Sequence, residues 1–464
     1  MSFVVTLAAL ALLIVMAYRG FSVIMFAPIA ALLAVLLTDP GAVLPVYADL
    51  FMDKLATFVK LYFPIFLLGA IFGKVIELSG FARSITAAAL RLIGPARAVV
   101  AIVLVGNLLT YGGVSLFVAV FAVYPFAAEA FRQGDIPKRL IPATIALGAF
   151  SFTMDSLPGT PQIQNIIPTT FFGTTAYAAP WLGVIGSAFI FAGGIAYLSW
   201  RIRATRRAGE GYGTGHRNEP APVREDAPVH PLVAVLPLLV VGVLNVLLTD
   251  TVVPQLYGKT HDTSLPGMAH PLAAGVPTPT AIWALELALL AGILTVFAFG
   301  WRGLRGRFAE GSQAAVAGSL LAVMNTASEF GFGAVIAALP GFLLVKAALA
   351  AIPDPLVNEA VSVTTLAGIT GSASGGLSIA LAALSGQFIA AANAAHIPMA
   401  VLHRVAAMAS GGMDTLPHNG AVITVLAVTG LTHRESYRDI FAITLLKTLA
   451  VFVVIAVYAL TGIV

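Results

Sequence analysis

The sequence predicts an all-α polytopic membrane protein that is built from two related halves. Of its 464 residues, 59% are hydrophobic and only 10% are charged, whereas about a quarter of the residues of a soluble domain are charged. Apolar runs long enough to cross a bilayer recur along the whole chain. Three polar motifs also occur twice in the same order, which indicates an internal duplication.

The apolar runs predict the membrane spans, because a helix needs about 20 mostly apolar residues to cross the hydrocarbon core. Allowing for interrupted helices, we expect about eleven or twelve membrane segments. The first run lacks the basic start and the cleavage site of a signal peptide, so we expect it to remain as a span. The clearest runs cover residues 3–17, 21–37, 181–200, 231–248, 283–299 and 441–464.

Arginines predict the orientation of these spans. The loop that follows Trp200 carries six of them, and by the positive-inside rule this loop is cytoplasmic. A second group of arginines follows another apolar run two spans later, so it should lie on the same side as the first. The intervening loop at 251–280 is then external. The second group is Arg302, Arg305 and Arg307. The six arginines are Arg201, Arg203, Arg206, Arg207, Arg217 and Arg224.

Three landmarks define the duplication, and their two copies lie 263, 261 and 259 positions apart. We therefore divide the chain into a first membrane repeat at 1–200, a flexible cytoplasmic linker at 201–230 and a second membrane repeat at 231–464. We expect the copies to be inverted relative to each other. The landmarks are Gly112-Gly113-Val114-Ser115, Asp135-Ile136-Pro137 and Met154-Asp155-Ser156-Leu157-Pro158 in the first copy, and Gly375-Gly376-Leu377-Ser378, His396-Ile397-Pro398 and Met413-Asp414-Thr415-Leu416-Pro417 in the second.

The repeated motifs predict breaks in the helices. The apolar segments on either side of Gly112 and Gly113 are too short to span, so we expect a re-entrant hairpin there and a matching one in the second copy. Proline deletes a helix hydrogen bond, so each Asp-x-Leu-Pro motif should unwind its helix. The residues that we expect to bind a substrate are Gly112, Gly113, Ser115, Ser156, Gly159, Thr160, Gln162, Ser374, Gly375, Gly376, Ser378, Thr415 and Asn419.

Five ionisable residues are candidates for ion coupling: Asp155, Asp414, His418, Glu77 and Glu329. Carboxylates and histidines inside a membrane segment often carry ions or protons. Each has a structural alternative, since the aspartates can cap the helices that follow and the two glutamates can be interfacial, Glu77 by pairing with Lys74. The glycines and serines can serve close helix packing. No arginine lies clearly inside a predicted span.

Several classes of function are not supported by the sequence. Cysteine is absent, which excludes disulfides and thiolate chemistry. Neither a nucleotide-binding loop nor a nucleophile motif occurs, and the histidines of the external loop lack metal-ligand spacing. We therefore expect no cofactor, no metal ion, no nucleic acid partner and no enzymatic activity.

The chain resembles the gluconate permease (GntP) family of the ion transporter superfamily. The resemblance covers essentially the whole chain, and these motifs carry it: Tyr111-Gly112-Gly113-Val114-Ser115, the polar run from Asp155 to Asn165, and Asp414-Thr415-Leu416-Pro417-His418-Asn419-Gly420-Ala421. It implies a homodimer in the cell inner membrane that works by an elevator mechanism, with a scaffold and a mobile transport domain. It also implies proton-driven import of a small organic acid.

The substrate class stays open between a sugar acid and a shorter hydroxycarboxylate. The gluconate branch has a His-Pro-rich stretch where this chain has Leu157-Pro158-Gly159-Thr160-Pro161. This difference makes a smaller acid, such as 3-hydroxybutyrate or lactate, as good a candidate as gluconate. We expect a proton-coupled symporter, and the alternatives are a sodium-coupled carboxylate symporter of the same fold and a passive anion channel or facilitator.

Overall fold

The computed structural model describes residues 2–19, 21–94, 97–114, 116–220, 229–265, 270–344, 347, 351–417 and 419–464. Within these ranges the chain is helical, apart from one exposed two-stranded antiparallel hairpin formed by β1 (Thr260–Thr263) and β2 (Ala273–Pro277). This hairpin belongs to the loop that the sequence places outside the cell. The prediction of an all-α polytopic membrane protein is confirmed.

The helices of the first half are α1 (Ser2–Tyr18), α2 (Val23–Thr38), α3 (Pro40–Leu78), α4 (Phe81–Ile93), α5 (Ala98–Tyr111), α6 (Leu116–Gln133), α7 (Ile141–Ala149), α8 (Phe152–Asp155), α9 (Ile163–Phe172) and α10 (Pro180–Arg207). Those of the second half are α11 (Pro231–Tyr257), α12 (Thr280–Leu304), α13 (Phe308–Ala338), α14 (Pro355–Thr370), α15 (Ala373–Ala394), α16 (Met399–Ser410), α17 (Gly420–Thr429) and α18 (His433–Thr461).

Seven of the described helices are long and apolar enough to cross a membrane, namely α3, α10, α11, α12, α13, α15 and α18. Several shorter apolar helices of 10 to 17 residues accompany them. The higher number of segments expected from the sequence included these short helices, most of which flank a break or a hairpin tip. When a helix ends inside the membrane, its last backbone N–H and C=O groups must form hydrogen bonds with partners outside the helix.

The long helices α3 and α13 pack against each other through small residues. A Cβ atom added to Gly331 would lie 2.9 Å from the carbonyl oxygen of Phe51, and one added to Gly311 would lie 2.5 Å from Leu78. Glycine lets two helix backbones approach closely, which replaces the hydrophobic driving force that is missing in lipid. Helix α2 also packs on α13, so α2, α3 and α13 form one body, which we call the α3–α13 body.

Two helical hairpins stand beside this body. Hairpin 1 consists of α5 and α6, and its tip contains Gly112 and Gly113, the latter at a φ of +95°. Hairpin 2 consists of α14 and α15, and its tip is Gly371, at a φ of +64°, followed by Ser372. The sequence predicts this tip at Ser372, Ser374, Gly375, Gly376 and Ser378, and of these residues Ser372 lies at the tip.

The other residues that the sequence assigned to the tip of hairpin 2 belong instead to the first two turns of α15. They are Ser374, Gly375, Gly376 and Ser378. Ser372 caps this helix, because its side-chain oxygen accepts a hydrogen bond from the Gly375 N–H at 3.0 Å. Gly375 and Gly376 therefore serve close packing, as the close approach of Ala367 to Gly376 shows.

The two copies share an unusual turn after their hairpins. Asp135 and His396 occupy equivalent positions and both adopt a positive φ, of 48° and 56°. The N–H of Ile136 bonds the Phe131 carbonyl and the N–H of Ile397 bonds the Ala392 carbonyl, each at 2.8 Å. This bond of a residue to the fifth one before it is the Schellman ending of a helix. The repeated sequence thus folds into a repeated backbone.

The copies are inverted. Helices α10 and α18 are equivalent in the duplication, and they lie side by side in opposite directions. Gly186, near the start of α10, faces Val454 near the end of α18. Near the end of α10, Arg201 bonds the carboxylate of Asp439, near the start of α18, at 2.6 Å. Because equivalent helices run antiparallel, one copy enters the membrane from the side where the other leaves it.

The described part of the linker is held in place rather than free, which differs from the flexible segment that we expected. Arg132 donates to Glu219 at 2.6 Å and Arg139 donates to Glu210 at 2.6 Å. The backbone N–H of Tyr212 donates to Asp135 at 2.8 Å. Sequence composition predicted flexibility here because these partners lie on α6 and near the start of α7, far away in the chain. Residues 221–228 lie outside the described ranges.

Candidate functional site

Both predicted unwound segments are present. Break 1 (residues 156–162) separates α8 from α9, and break 2 (residues 411–419) separates α16 from α17. Proline and glycine cause the first interruption, since Pro158 and Pro161 lack an N–H donor and Gly159 adopts a φ of +78°. The aspartates do not cap the next helices: Asp155 ends α8, and the N-cap residues of α9 and α17 are Gln162 and Asn419.

Side chains from elsewhere satisfy the carbonyl groups that the breaks release. In and beside break 1, the carbonyls of Asp155, Pro158, Gly159 and Thr160 accept hydrogen bonds from Arg404, Tyr111, Asn245 and Asn165 respectively. In break 2, the Thr415 carbonyl accepts from Tyr437 at 3.2 Å and the Pro417 carbonyl from His433 at 2.8 Å. The breaks are therefore built into the fold, as buried irregular backbone has to be.

Each break is tied to the tip of the hairpin in its own copy by one amide side chain. The Gln162 side-chain amide donates to the carbonyl of Thr110 in hairpin 1 at 2.7 Å. The Asn419 side-chain amide donates to the carbonyl of Gly371 in hairpin 2, also at 2.7 Å. Gln162 and Asn419 occupy equivalent positions before α9 and α17, so the duplication includes this contact. Both residues were predicted binding residues, and their amides are engaged within the protein.

The aspartates of the two breaks meet at one lysine. Lys447 of α18 donates to Asp414 Oδ1 and to the carbonyl of Phe150, each at 2.8 Å, and all three polar groups are buried. Asp155 interacts electrostatically with both Lys447 and Asp414. We call Asp155, Asp414 and Lys447 the charged centre. The charged centre joins the first copy to two parts of the second copy, break 2 and α18.

The Asp155 carboxylate lies in a tight setting. Its Oδ1 accepts a hydrogen bond from the Ser156 hydroxyl at 2.6 Å. Its Oδ2 contacts Gly411, where an added Cβ atom would lie only 1.8 Å from this oxygen. Among the described residues, no cation forms a direct ion pair with Asp155, in contrast to Asp414. The fold thus brings a second buried carboxylate close to an ion pair that is already complete.

A buried arginine stands behind break 1, which corrects the expectation that the spans contain none. Arg404 of α16 has no exposed surface, and its guanidinium bonds the carbonyls of Asp155 and Ala178 and the side-chain oxygen of Asn165. It also interacts electrostatically with the Asp155 carboxylate. Its bonds to backbone carbonyls fix the shape of the break, and its charge faces the same aspartate as Lys447.

His403 completes this network. Its Nε2 lies 3.2 Å from the side-chain oxygen of Asn165, and its Nδ1 lies 2.6 Å from the Thr174 hydroxyl. The amide group of Asn165 donates to the carbonyls of Thr160 and Ala176, so its oxygen must face the histidine. This arrangement assigns a proton to Nε2. The buried histidine serves break 1 as a hydrogen-bonding group.

The remaining predicted binding residues fall into separate groups. The Thr160 hydroxyl donates to the carbonyl of Thr153 at 2.7 Å, and the hydroxyls of Thr415 and Thr444 share a hydrogen bond of 2.6 Å. The Ser374 hydroxyl lies 3.4 Å from that of Thr326, and the buried Ser378 hydroxyl has no hydrogen-bond partner in the described part of the chain. Two candidates, Ser115 and His418, lie outside the described residues.

The two glutamates have different surroundings. Glu77 pairs with Lys74 at 3.1 Å and is partly exposed near the end of α3, as the structural alternative had it. Glu329 is buried in the middle of α13, where its carboxylate contacts Gly375 of hairpin 2. The two glutamates, which the sequence offered as coupling candidates of the same kind, therefore have different surroundings.

Sequence reasoning missed Lys447, Arg404, His403 and Asn165 as a group. The signal for Lys447 and Arg404 was present, because a basic residue inside an apolar segment is rare and usually has a buried partner. Arg404 bonds Asp155, 249 residues away in the other copy, and Lys447 bonds both Phe150, 297 residues away in the other copy, and Asp414 of its own copy. No group of three acidic, histidine or cysteine side chains suited to a metal ion is found in the described residues.

An inverted pair of helical repeats, with paired breaks around buried charges, defines a multi-pass membrane transporter. The chain is 56% identical to the "Uncharacterized transporter YxjC" of Bacillus subtilis (strain 168), over 473 residues that cover 100% of both proteins. The chain belongs to the same transporter family as this protein. No family model matches the sequence.

The fold also resembles a solved structure. The structure described as "Crystal structure of the Alcanivorax borkumensis YdaH transporter reveals an unusual topology" matches with a TM-score of 0.57 over 92% of this chain and 90% of that one. The sequences are 17% identical, so the similarity concerns the fold alone. The curated relative thus gives the transporter family, and the solved structure supports the fold.

Proposed function

We propose that the protein is a secondary active transporter that couples the entry of a proton to the uptake of a small organic acid. One observation carries this proposal: Asp155, a buried carboxylate, interacts electrostatically with an ion pair that Lys447 and Asp414 form with each other. An ionisable group in such a setting within a membrane protein is a candidate for proton transfer. The inverted repeats support alternating access to this group from the two sides.

The charges around Asp155 suggest how the proton and the substrate are coupled. When ionised, Asp155 and Asp414 carry two negative charges, and Lys447 and Arg404 carry two positive ones. A proton on Asp155 leaves one net positive charge in a buried region, where charges interact strongly. A monoanion then restores neutrality. Binding of the proton thus favours binding of the anion, which is the basis of symport.

The proton is a better coupling ion for this site than sodium. Sodium needs several oxygen ligands, which the sodium-coupled alternative takes from the carbonyls of the breaks. Those carbonyls already accept hydrogen bonds from Arg404, Tyr111, Asn165, Tyr437 and His433. A passive channel or facilitator has no need of the buried charges, which would only obstruct an open pore.

The resemblance to gluconate permeases suggests the substrate class and the assembly. We propose a sugar acid or a shorter hydroxycarboxylate as substrate, a homodimer in the cell inner membrane, and an elevator movement of the hairpins and breaks along the α3–α13 body. The first repeat, the cytoplasmic linker and the second repeat at 231–464 keep their predicted places in this scheme. The Ser378 hydroxyl, which has no hydrogen-bond partner among the described residues, and the glycine-rich helix starts at the hairpin tips supply small polar groups for such a substrate.

Uptake into proteoliposomes tests this function. With gluconate, lactate and 3-hydroxybutyrate offered separately, we expect accumulation of at least one acid under an inward proton gradient and none under a sodium gradient alone. Asp155→Asn should abolish accumulation while still exchanging substrate across the membrane, because it mimics the protonated state. Asp53→Asn, at an exposed position, is the matched control. Undiminished proton-driven uptake by Asp155→Asn would refute the assignment.

A further inference from the structure

Glu329 is one of three buried carboxyl groups among the described residues that lie outside the charged centre, with Glu359 and Asp439. Glu329 of α13 is 4% exposed, and its Oε2 has no hydrogen-bond partner among the described residues. The carboxylate contacts Gly375 in the first turn of α15, where an added Cβ atom would lie 1.9 Å from Oε2. It therefore lies in the contact between the α3–α13 body and hairpin 2.

The helix start that Glu329 touches gives it no hydrogen bond. The N–H of Gly375 donates to the Ser372 hydroxyl at 3.0 Å, and the N–H of Gly376 donates to the Ser372 carbonyl at 2.9 Å. The contact between α13 and α15 is also close one turn before Glu329, where the Thr326 hydroxyl lies 3.4 Å from the Ser374 hydroxyl. Oε2 of Glu329 is thus packed without a donor among the described residues.

No charged group of the described residues balances Glu329. Helices α2 and α15, which pack on α13, contain no charged residue. On α3, Asp49, Asp53 and Lys60 are exposed. Lys54 pairs with Asp53 at 3.5 Å, and Lys74 pairs with Glu77 at 3.1 Å. An ionised carboxylate that is buried without a donor or a cation is strongly unfavourable. The packed arrangement therefore suits the neutral acid.

We propose that Glu329 is a second proton site. Protonated Glu329 holds hairpin 2 against α13, and loss of the proton releases hairpin 2. Ionisation requires water or a donor around the carboxylate, and water reaches it only when α15 moves away from α13. Hairpin 1 is held differently, since the linker binds it through Arg132 and Tyr124. The inference rests on the proposed transport function and adds a pH-dependent step at hairpin 2.

Cysteine labelling tests this proposal without measuring transport. The chain contains no cysteine, so Ser374→Cys provides a single reporter at the contact. Its rate of maleimide labelling is divided, at each pH, by the rate in the detergent-unfolded protein, which removes the effect of thiol ionisation. We expect the normalised rate to rise by about tenfold between about pH 5 and pH 8. Leu108→Cys in hairpin 1 is the matched reporter and should not change.

Glu329→Gln in the Ser374→Cys background should keep the normalised rate low at every pH, because glutamine keeps the volume and never ionises. Asp155→Asn in that background should leave the pH profile as it is. A flat profile for Ser374→Cys, or an unchanged profile in Glu329→Gln, would overturn the proposal. Either result is independent of whether uptake is driven by protons, so failure of the proposed function is recognised separately by the proteoliposome assay.

Discussion

The two copies of the repeat share a backbone but differ in charge. In the second copy, Asp414 forms a direct ion pair with Lys447, and Asn419 both caps α17 and bonds the tip of hairpin 2. In the first copy, Asp155 lies near that ion pair and forms no direct ion pair itself with any described residue. Gln162 bonds the tip of hairpin 1 but does not cap α9 with its side chain. A symmetric scaffold has thus produced an asymmetric site.

The hairpins differ in the same way. Hairpin 1 is tied to the linker through Arg132 and Tyr124, and hairpin 2 has no such connection in the described residues. The equivalent turn of hairpin 2, around His396, is exposed. Duplication supplies two similar halves, and residues that differ between them give the two hairpins different surroundings.

The largest effect is expected from breaking the ion pair. Lys447→Met removes the positive charge between two buried carboxylates, and breaking a buried pair costs about 3–5 kcal/mol. We expect a large fall in the melting temperature of the purified protein and loss of uptake. Thermal unfolding in detergent measures the first and the proteoliposome assay the second.

Adding Asp414→Asn to Lys447→Met should recover most of the stability, because no unpaired charge from this pair remains, but it should not recover uptake. Lys54→Met, in an exposed pair, is the control and should change stability by less than about 1 kcal/mol. A single Lys447→Met variant that melts like the parent would show that the centre is hydrated and that the comparison of the two aspartates is wrong.

A smaller effect distinguishes the two amide residues. Asn419→Ala loses the bond to Gly371 and the cap of α17, whereas Gln162→Ala loses only the bond to Thr110. Because an N-cap is worth about 1 kcal/mol, Asn419→Ala should destabilise the protein by about that amount more than Gln162→Ala. Melting temperatures of the two variants provide the comparison. Equal losses would mean that the cap contributes nothing.

The smallest effect concerns the linker and depends on pH. Burial tends to raise the pKa of Glu219, but hydrogen bonds from Tyr212, Arg132 and Lys138 outweigh it and lower the pKa from 4.5 to about 2. A lowered pKa stabilises the folded state fully above pH 4.5, and this contribution disappears as the pH falls towards 2.

Glu219→Gln should therefore lower the melting temperature by a few degrees at neutral pH, on the order expected for about 1 kcal/mol. The difference from the parent should shrink as the pH is lowered below 4.5 and vanish near 2. Asp262→Asn, in the exposed external hairpin, controls for a simple loss of charge. A difference that stays constant with pH would show that the linker is not held by the Glu219 carboxylate.

Hydropathy, arginine distribution and repeat spacing were enough to predict a helical membrane protein with two similar halves, paired hairpins and paired breaks. These features are local, since apolar length decides a span and proline or glycine decides where a helix ends. The second hairpin tip was predicted too broadly, because Ser372 caps α15 and the repeated Gly375-Gly376 motif lies inside that helix.

Only the tertiary structure decided which polar residues meet. Asp155 lies at least 249 residues before Arg404, Asp414 and Lys447, and inversion of the second copy brings it close to them. The sequence presented Glu77 and Glu329 as a pair, yet packing left one partly exposed beside a lysine and buried the other against hairpin 2. The sequence by itself determined the helices and their interruptions, because these follow from neighbouring residues. The partners of each buried charge depend on contacts between helices that no local pattern records.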